Sequence, residues 1–114
     1  MSQKQPISIN NLVAEMTQPW KPMDLVKVNN SMVRLVRLDG RFNWHQHHED
    51  ELFVGCGGNF TLEIEGGDEI PIAPGECYLI PAGVRHRPVA LAPAYALLIV
   101  EAQTRHDFGV ASSS

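Results

Sequence analysis

The sequence predicts an all-β domain preceded by one short helix, and three observations carry that reading. From Met23 onward the chain runs in short β-type segments separated by Gly, Pro and Asn, the punctuation of an all-β sandwich or barrel. Apolar residues recur at helical spacing between Ile9 and Gln18, ahead of those segments. The length of 114 residues fits one domain, and 44% hydrophobic with 19% charged residues suffices to bury a single core. The expected divisions are an N-terminal segment with the helix (1–22), a β-barrel (23–104) and a C-terminal tail (105–114).

Residues 1–6 are polar and read as a frayed end. Ile9, Leu12, Val13 and Met16 stand at i, i+3, i+4 and i+7, with Asn10 or Asn11 available as a cap. Pro19 cannot continue the helical hydrogen-bond ladder, so Trp20-Lys21-Pro22 becomes an extended connector with Trp20 as a packing anchor. MDLVKV then stops at an Asn29-Asn30 hairpin turn, and SMVRLVRL alternates up to an Asp39-Gly40 turn. The runs RFNWHQHH, ELFVG, NFTLEIE, DEIPI, ECYLI, HRPVA and YALLIVEA bring the total to about nine strands. Gly57-Gly58, Gly66-Gly67, Pro74-Gly75, Pro81-Ala82-Gly83 and Pro93 close the loops between them. The end of the tail, after Gly109, has the low complexity of a disordered segment.

Two of these segments carry chemistry. In the stretch Gly40 to Gly58, His45 and His47 flank Gln46, so in an extended chain both imidazoles fall on one face, and Glu51 follows four residues later. His86 lies in a second compact segment, GECYLIPAGVRHRPV. Three imidazoles and one carboxylate form a ligand set for a first-row transition ion, with iron, manganese, nickel, copper and zinc all admissible. Strand alternation would set Arg41 and Asn43 on the same inward face and turn Trp44 and Gln46 away. His48 would face outward, and Glu49 with Asp50 would form a solvated turn.

The spacing adds to the residue types. Gly40, His45, His47, Glu51 and Gly58 form one pattern, and Gly75, Pro81, Gly83 and His86 a second; together they resemble the two signature motifs of the cupin superfamily. The first gap is one residue shorter than the family's usual five, and Ala90 stands where the second motif commonly has Asn. The Gly55-Cys56-Gly57-Gly58 run also departs from the aliphatic strand usual there and would loosen it, since Gly offers no side chain to pack. The resemblance implies a double-stranded β-helix, the jelly-roll cupin barrel, with the motif strands lining a pocket open at one end. It implies a small single-domain metalloprotein that associates as a homodimer. Its relatives include dioxygenases, isomerases, decarboxylases and lyases, so the expected function is a metal-dependent enzyme on a small-molecule substrate. A non-catalytic module that binds metal and a small ligand, for sensing or storage, is the alternative.

Composition limits the other classes. A formal charge of −4, with Lys and Arg scattered, argues against nucleic acid or an anionic membrane as partner. The absence of a long apolar run and of a signal-peptide core makes the cytoplasm the expected compartment. There, Cys56 and Cys77 would be free thiols acting as small hydrophobes. Tyr78 would either direct its hydroxyl into the pocket or pack in the core with the hydroxyl at the barrel edge. Substrate contacts are expected from Tyr78, Asn43 and Arg41; Arg41, Arg85 and Arg87 would each either bind an anionic substrate at the mouth or lie on the solvated surface, and Phe42, Phe53 and Phe60 read as core. His106 reads as a surface or rim residue.

Overall fold

A computed structural model describes residues 5–104, and the expectations for His106 and the rest of the tail lie outside these residues. One short helix, α1 (Ile9–Glu15), precedes seven strands: β1 (Met23–Val28), β2 (Ser31–Arg41), β3 (Glu51–Gly57), β4 (Phe60–Ile64), β5 (Glu69–Ile72), β6 (Cys77–Ile80) and β7 (His86–Glu101). The helix is capped by Ser8, whose hydroxyl accepts from Asn11 N, and not by Asn10 or Asn11. It ends at Glu15, with Met16 as its extended C-cap, short of Gln18; the preference of a residue before proline for extended backbone favours an early stop ahead of Pro19. No helix among the described residues is long and apolar enough to cross a membrane.

All the strand pairings are antiparallel. The order β1-β2-β7-β3-β6 makes one wall, and β4, paired to β7, carries β5 to make the other. β7 belongs to both walls. Its C-terminal half runs between β2 and β3, and its first four residues pair with β4. The change of wall falls at Leu91–Pro93, where the pairing with β2 skips residues and Leu91 is 90% exposed. Together the walls close into a jelly-roll barrel.

Seven strands replace the nine expected, for two reasons. HRPVA and YALLIVEA are one continuous strand, because Pro93 sits at an exposed corner where its missing N–H costs nothing. RFNWHQHH is not a strand beyond Arg41 apart from a single bridge between His45 and His86. Likewise Asp39-Gly40 is no turn: Gly40, at φ 89°, sits in a bulge that lets β2 bend from Ala94 to Ala90 of its neighbour.

The interior follows the period of two. On β3, Glu51, Phe53 and Gly55 are buried while Leu52, Val54 and Cys56 are only half-buried, so Glu51 points inward in phase with Phe53. Val36, Leu38, Ala94, Ala96 and Leu98 supply the inner face of the neighbouring strands, and Phe60 of β4 meets Phe53 with centroids 6.2 Å apart. Each fully buried Leu or Phe contributes about 1.5–3 kcal/mol. Trp20 anchors the connector as expected: its ring lies 5.2 Å from that of Phe42, and its indole N–H donates to Asp39 O. Arg34 is a buried cation that pattern reading does not reveal. It binds the Asp24 carboxylate at 2.8 Å and the carbonyls of Ala102 and Thr104, stitching β1 and the end of β7 together.

Gly55 of β3 and Gly58 just after it are close-approach positions, not loosened strand. A Cβ on Gly55 would lie 2.5 Å from Ala73 O, and one on Gly58, already at φ 66°, would lie 2.6 Å from Pro93 O. Both neighbours are backbone and cannot swing away. Of the cysteines, Cys56 is half-buried, with its thiol pushed up to about 11 by burial, whereas Cys77 is exposed on edge strand β6 and does not act as a core residue. Gly55→Val should therefore lower stability by about 1–3 kcal/mol through overpacking. Chemical denaturation would read this as a lower midpoint, and an unchanged midpoint would show that the two segments can separate freely.

Candidate metal centre

The residues between β2 and β3 form a loop that is zipped to the second motif by main-chain bonds. Phe42 N donates to Pro88 O, His45 N to His86 O, His86 N to His45 O, and Gly83 N to His47 O, all between 2.8 and 3.1 Å. Two residues, Asn43 and Trp44, lie between Phe42 and His45 on one side, against only Arg87 between His86 and Pro88 on the other, so the loop carries one extra residue. That insertion reverses the alternation. Phe42 turns inward and packs edge-on against His45 at 5.2 Å, while Arg41 and Asn43 are exposed. The expected shared face of Arg41, Asn43 and the histidines is therefore not formed. Asn43 instead acts through its carbonyl, which lies 2.9 Å from His45 Nδ1.

Ligand atoms of His45, His47, Glu51 and His86 all lie within 4.8 Å of one another, a group that can hold a metal ion. His45, Glu51 and His86 are at most 3% exposed, and His47 is the most accessible of the four. The ring centroids of His45 and His86 are 4.4 Å apart and those of His45 and His47 5.0 Å. Glu51 Oε1 sits 3.2 Å from His86 Nε2 and 3.6 Å from His47 Nε2. Phe53 stands edge-on to His86 at 6.1 Å, and with Phe42 it supplies apolar neighbours to the group.

Tautomer chemistry tests whether these residues fit a cation. The Nδ1 atoms of His45 and His86 each lie 2.9 Å from a main-chain carbonyl, of Asn43 and Val84 respectively. A carbonyl only accepts, so each Nδ1 carries the proton, and in the neutral ring Nε2 presents a lone pair. The His86 lone pair then faces a Glu51 oxygen, which repels it unless a cation or a second imidazole proton lies between. A metal ion satisfies both atoms at once, and orientation of ligating imidazoles by carbonyls is the usual supporting arrangement. The donor set fits a divalent transition ion.

Electrostatics supports the neutral form of His45. Burial lowers its pKa from 6.5 to about 4, against an opposing pull from the Asn43 carbonyl, and the neighbouring His86 and His47 lower it further. A ligand atom that stays unprotonated to mildly acid pH is available to a metal without first losing a proton.

The remaining expected residues fall in distinct places. His48 is exposed and outside the group. Tyr78 stands directly across from Phe53 on the edge strand, which puts it on the same inward face as Glu51, 36% exposed. Arg85 and Arg87 reach Glu65 and Glu63, and the Arg87 guanidinium lies over the Trp44 ring at 4.6 Å. Asp50 is exposed and Glu49 half-buried, as a solvated turn requires, and each also has a partner: Glu49 accepts from Thr104 Oγ1 at 2.9 Å, and Asp50 from Ala82 N at 2.8 Å. These two contacts span long sequence separations and leave no local signal.

Residues 34–100 match the family model described as Cupin domain. YdbB, an uncharacterized protein of Bacillus subtilis (strain 168), is 29% identical over 83 residues, 69% of this chain and 74% of its own. The crystal structure of a cupin-2 domain containing protein from Shewanella frigidimarina superposes with a TM-score of 0.77 at 31% identity, covering 82% of this chain and 91% of that one. Hydroquinone 1,2-dioxygenase PnpCD, solved with Cd2+ and 4-hydroxybenzonitrile, shares the fold at 18% identity, with a TM-score of 0.69 over 88% of this chain and 71% of that one.

The depressed His45 pKa has a measurable sign. Between pH 6.5 and about 4 the unfolded chain binds a proton at this imidazole that the folded chain refuses, so stability falls as the pH drops through that window. In the metal-free protein, an NMR titration should show His45 neutral until close to pH 4, with the denaturation midpoint falling over the same range. A His45 ring that titrates near pH 6.5 contradicts this.

Proposed function

The chain belongs to the cupin-domain family, and on that premise we propose that it is a metal-dependent enzyme acting on a small molecule, with His45, His47, Glu51 and His86 as ligands of one divalent transition ion. The observation that carries the proposal is the meeting of three imidazoles and a carboxylate within 4.8 Å, with the Nδ1 atoms of two of the imidazoles held by main-chain carbonyls so that Nε2 is the ring nitrogen turned to the group. Fold alone does not supply a reaction. Imidazole with carboxylate suits iron, manganese, nickel, copper or zinc. Bound there, such an ion supplies Lewis-acid polarisation of a carbonyl or enol oxygen, or activation of oxygen where the ion is redox-active.

The chain's own residues divide the remaining work. His45, Glu51 and His86 hold the buried side of the site, with the buried rings of Phe42 and Phe53 against His45 and His86. His47, the most accessible of the four, marks the side from which a small molecule arrives. In this reading Tyr78 offers its hydroxyl to that molecule, a role supported by its register opposite Phe53 and its partial exposure. PnpCD, a hydroquinone dioxygenase, makes phenols and catechols one class to test beside small carboxylates and sugar phosphates. Association as a homodimer fits the same reading, since edge strand β1 leaves Met23, Val26 and Val28 between 40% and 54% exposed.

Reconstitution tests both parts. Metal-free protein loaded separately with iron, manganese, nickel and zinc should bind about one equivalent, and His86→Ala should weaken binding at least ~10-fold. Turnover of one substrate class that depends on the added ion supports the enzyme. Saturable binding of a small molecule without turnover would instead make this a sensing or storage module.

A further inference from the structure

We infer that Asp50 is a positioning residue of the metal centre, holding the turn that presents His86 against the turn that presents Glu51. The inference rests on the metal-binding reading above. Glu51 and His86 come from separate motifs, and each is delivered by a turn: His48-Glu49-Asp50 before β3, and Pro81-Ala82-Gly83 before β7. The Asp50 Oδ1 atom accepts the Ala82 N–H at 2.8 Å, and in the same place Gly83 N donates to His47 O at 2.8 Å. One side-chain bond and one main-chain bond thus clasp the two turns. Val84 N closes the second turn on Pro81 O, and the Val84 carbonyl is the group that orients His86 Nδ1. The chain of contacts from Asp50 through Ala82 and Val84 to the His86 ring is continuous.

The chemistry requires an acceptor at this position and not a charge. Ala82 N–H is a neutral donor, so an amide oxygen serves it nearly as a carboxylate oxygen does. Asp50 is exposed and adjoins Glu51 in sequence, yet it lies outside the four-residue group. A partner bonded directly to a ligand, as the Val84 carbonyl is to His86, is worth about 10–100-fold in metal binding; Asp50 holds the turn that carries this carbonyl, so its loss is expected at the low end of that range, about 10-fold.

Glu76 provides an internal control. Its Oε1 accepts Ala73 N at 2.9 Å, a bond of the same kind, in a turn beside Gly55 at the opposite end of β3 from Glu51. Co2+ affinity and visible absorption, measured on wild type, Asp50→Ala, Asp50→Asn and Glu76→Ala, separate the possibilities, with thermal melts of each metal-free protein confirming the fold. The expected result is a loss of about 10-fold or more in affinity with an altered spectrum for Asp50→Ala. Near wild-type binding is expected for Asp50→Asn and for Glu76→Ala. Wild-type affinity in Asp50→Ala overturns the inference while leaving the metal site intact. An equal loss in Asp50→Asn, or in Glu76→Ala, also overturns it, by showing a charge effect or general destabilisation. Failure of the wild type itself to bind Co2+ removes the metal-binding reading and the inference together.

Discussion

The pairing of the loop 42–47 with residues 83–88 is the constraint on which the site depends. Without the four main-chain bonds between these segments, His86 would be separated from His45 by a sequence distance that no local preference bridges. The β walls make the pairing possible. β7 is shared between both walls, and the bulge at Gly40 bends β2 along it, so the loop leaves β2 already aligned with the start of β7. Packing of Phe42 against Trp20 and His45 then fixes the depth at which the imidazoles sit.

Burial gives the cluster both its cost and its use. Polar groups withdrawn from water need partners, and the two most buried imidazoles spend one nitrogen each on a carbonyl of their own turn. The other nitrogen points into the group, where a carboxylate from β3 brings negative charge. Lone pairs gathered around one point repel each other, and a cation is the simplest species that turns this repulsion into binding. Aromatic edges from Phe42 and Phe53 lower the local polarity and so strengthen that attraction.

Much of this was legible in the sequence because it rests on short-range regularities. Gly and Pro mark the loops, alternation on β3 directs Glu51 inward, and the spacing of His45, His47, Glu51 and His86 identifies the group that the fold brings together. What failed to show depended on a count across two segments. One extra residue between Phe42 and His45 reverses the face, which no alternation rule applied to a single segment can detect, and so alternation alone sets Arg41 and Asn43 on the wrong side. The clasp from Asp50, the anchor of Glu49 on Thr104, and the tight approach of Ala73 to Gly55 share that origin. Each pairs residues far apart in the chain, and composition carries no trace of the partner.

The central claim is that four side chains from two distant motifs surround a single ion inside a β-walled barrel. Crystals of protein loaded with one equivalent of zinc or manganese, with anomalous scattering recorded at the metal edge, address it directly. The account predicts one strong peak bonded to Nε2 of His45, His47 and His86 and to a carboxylate oxygen of Glu51. A peak elsewhere on the chain, or none at this position after loading, contradicts it.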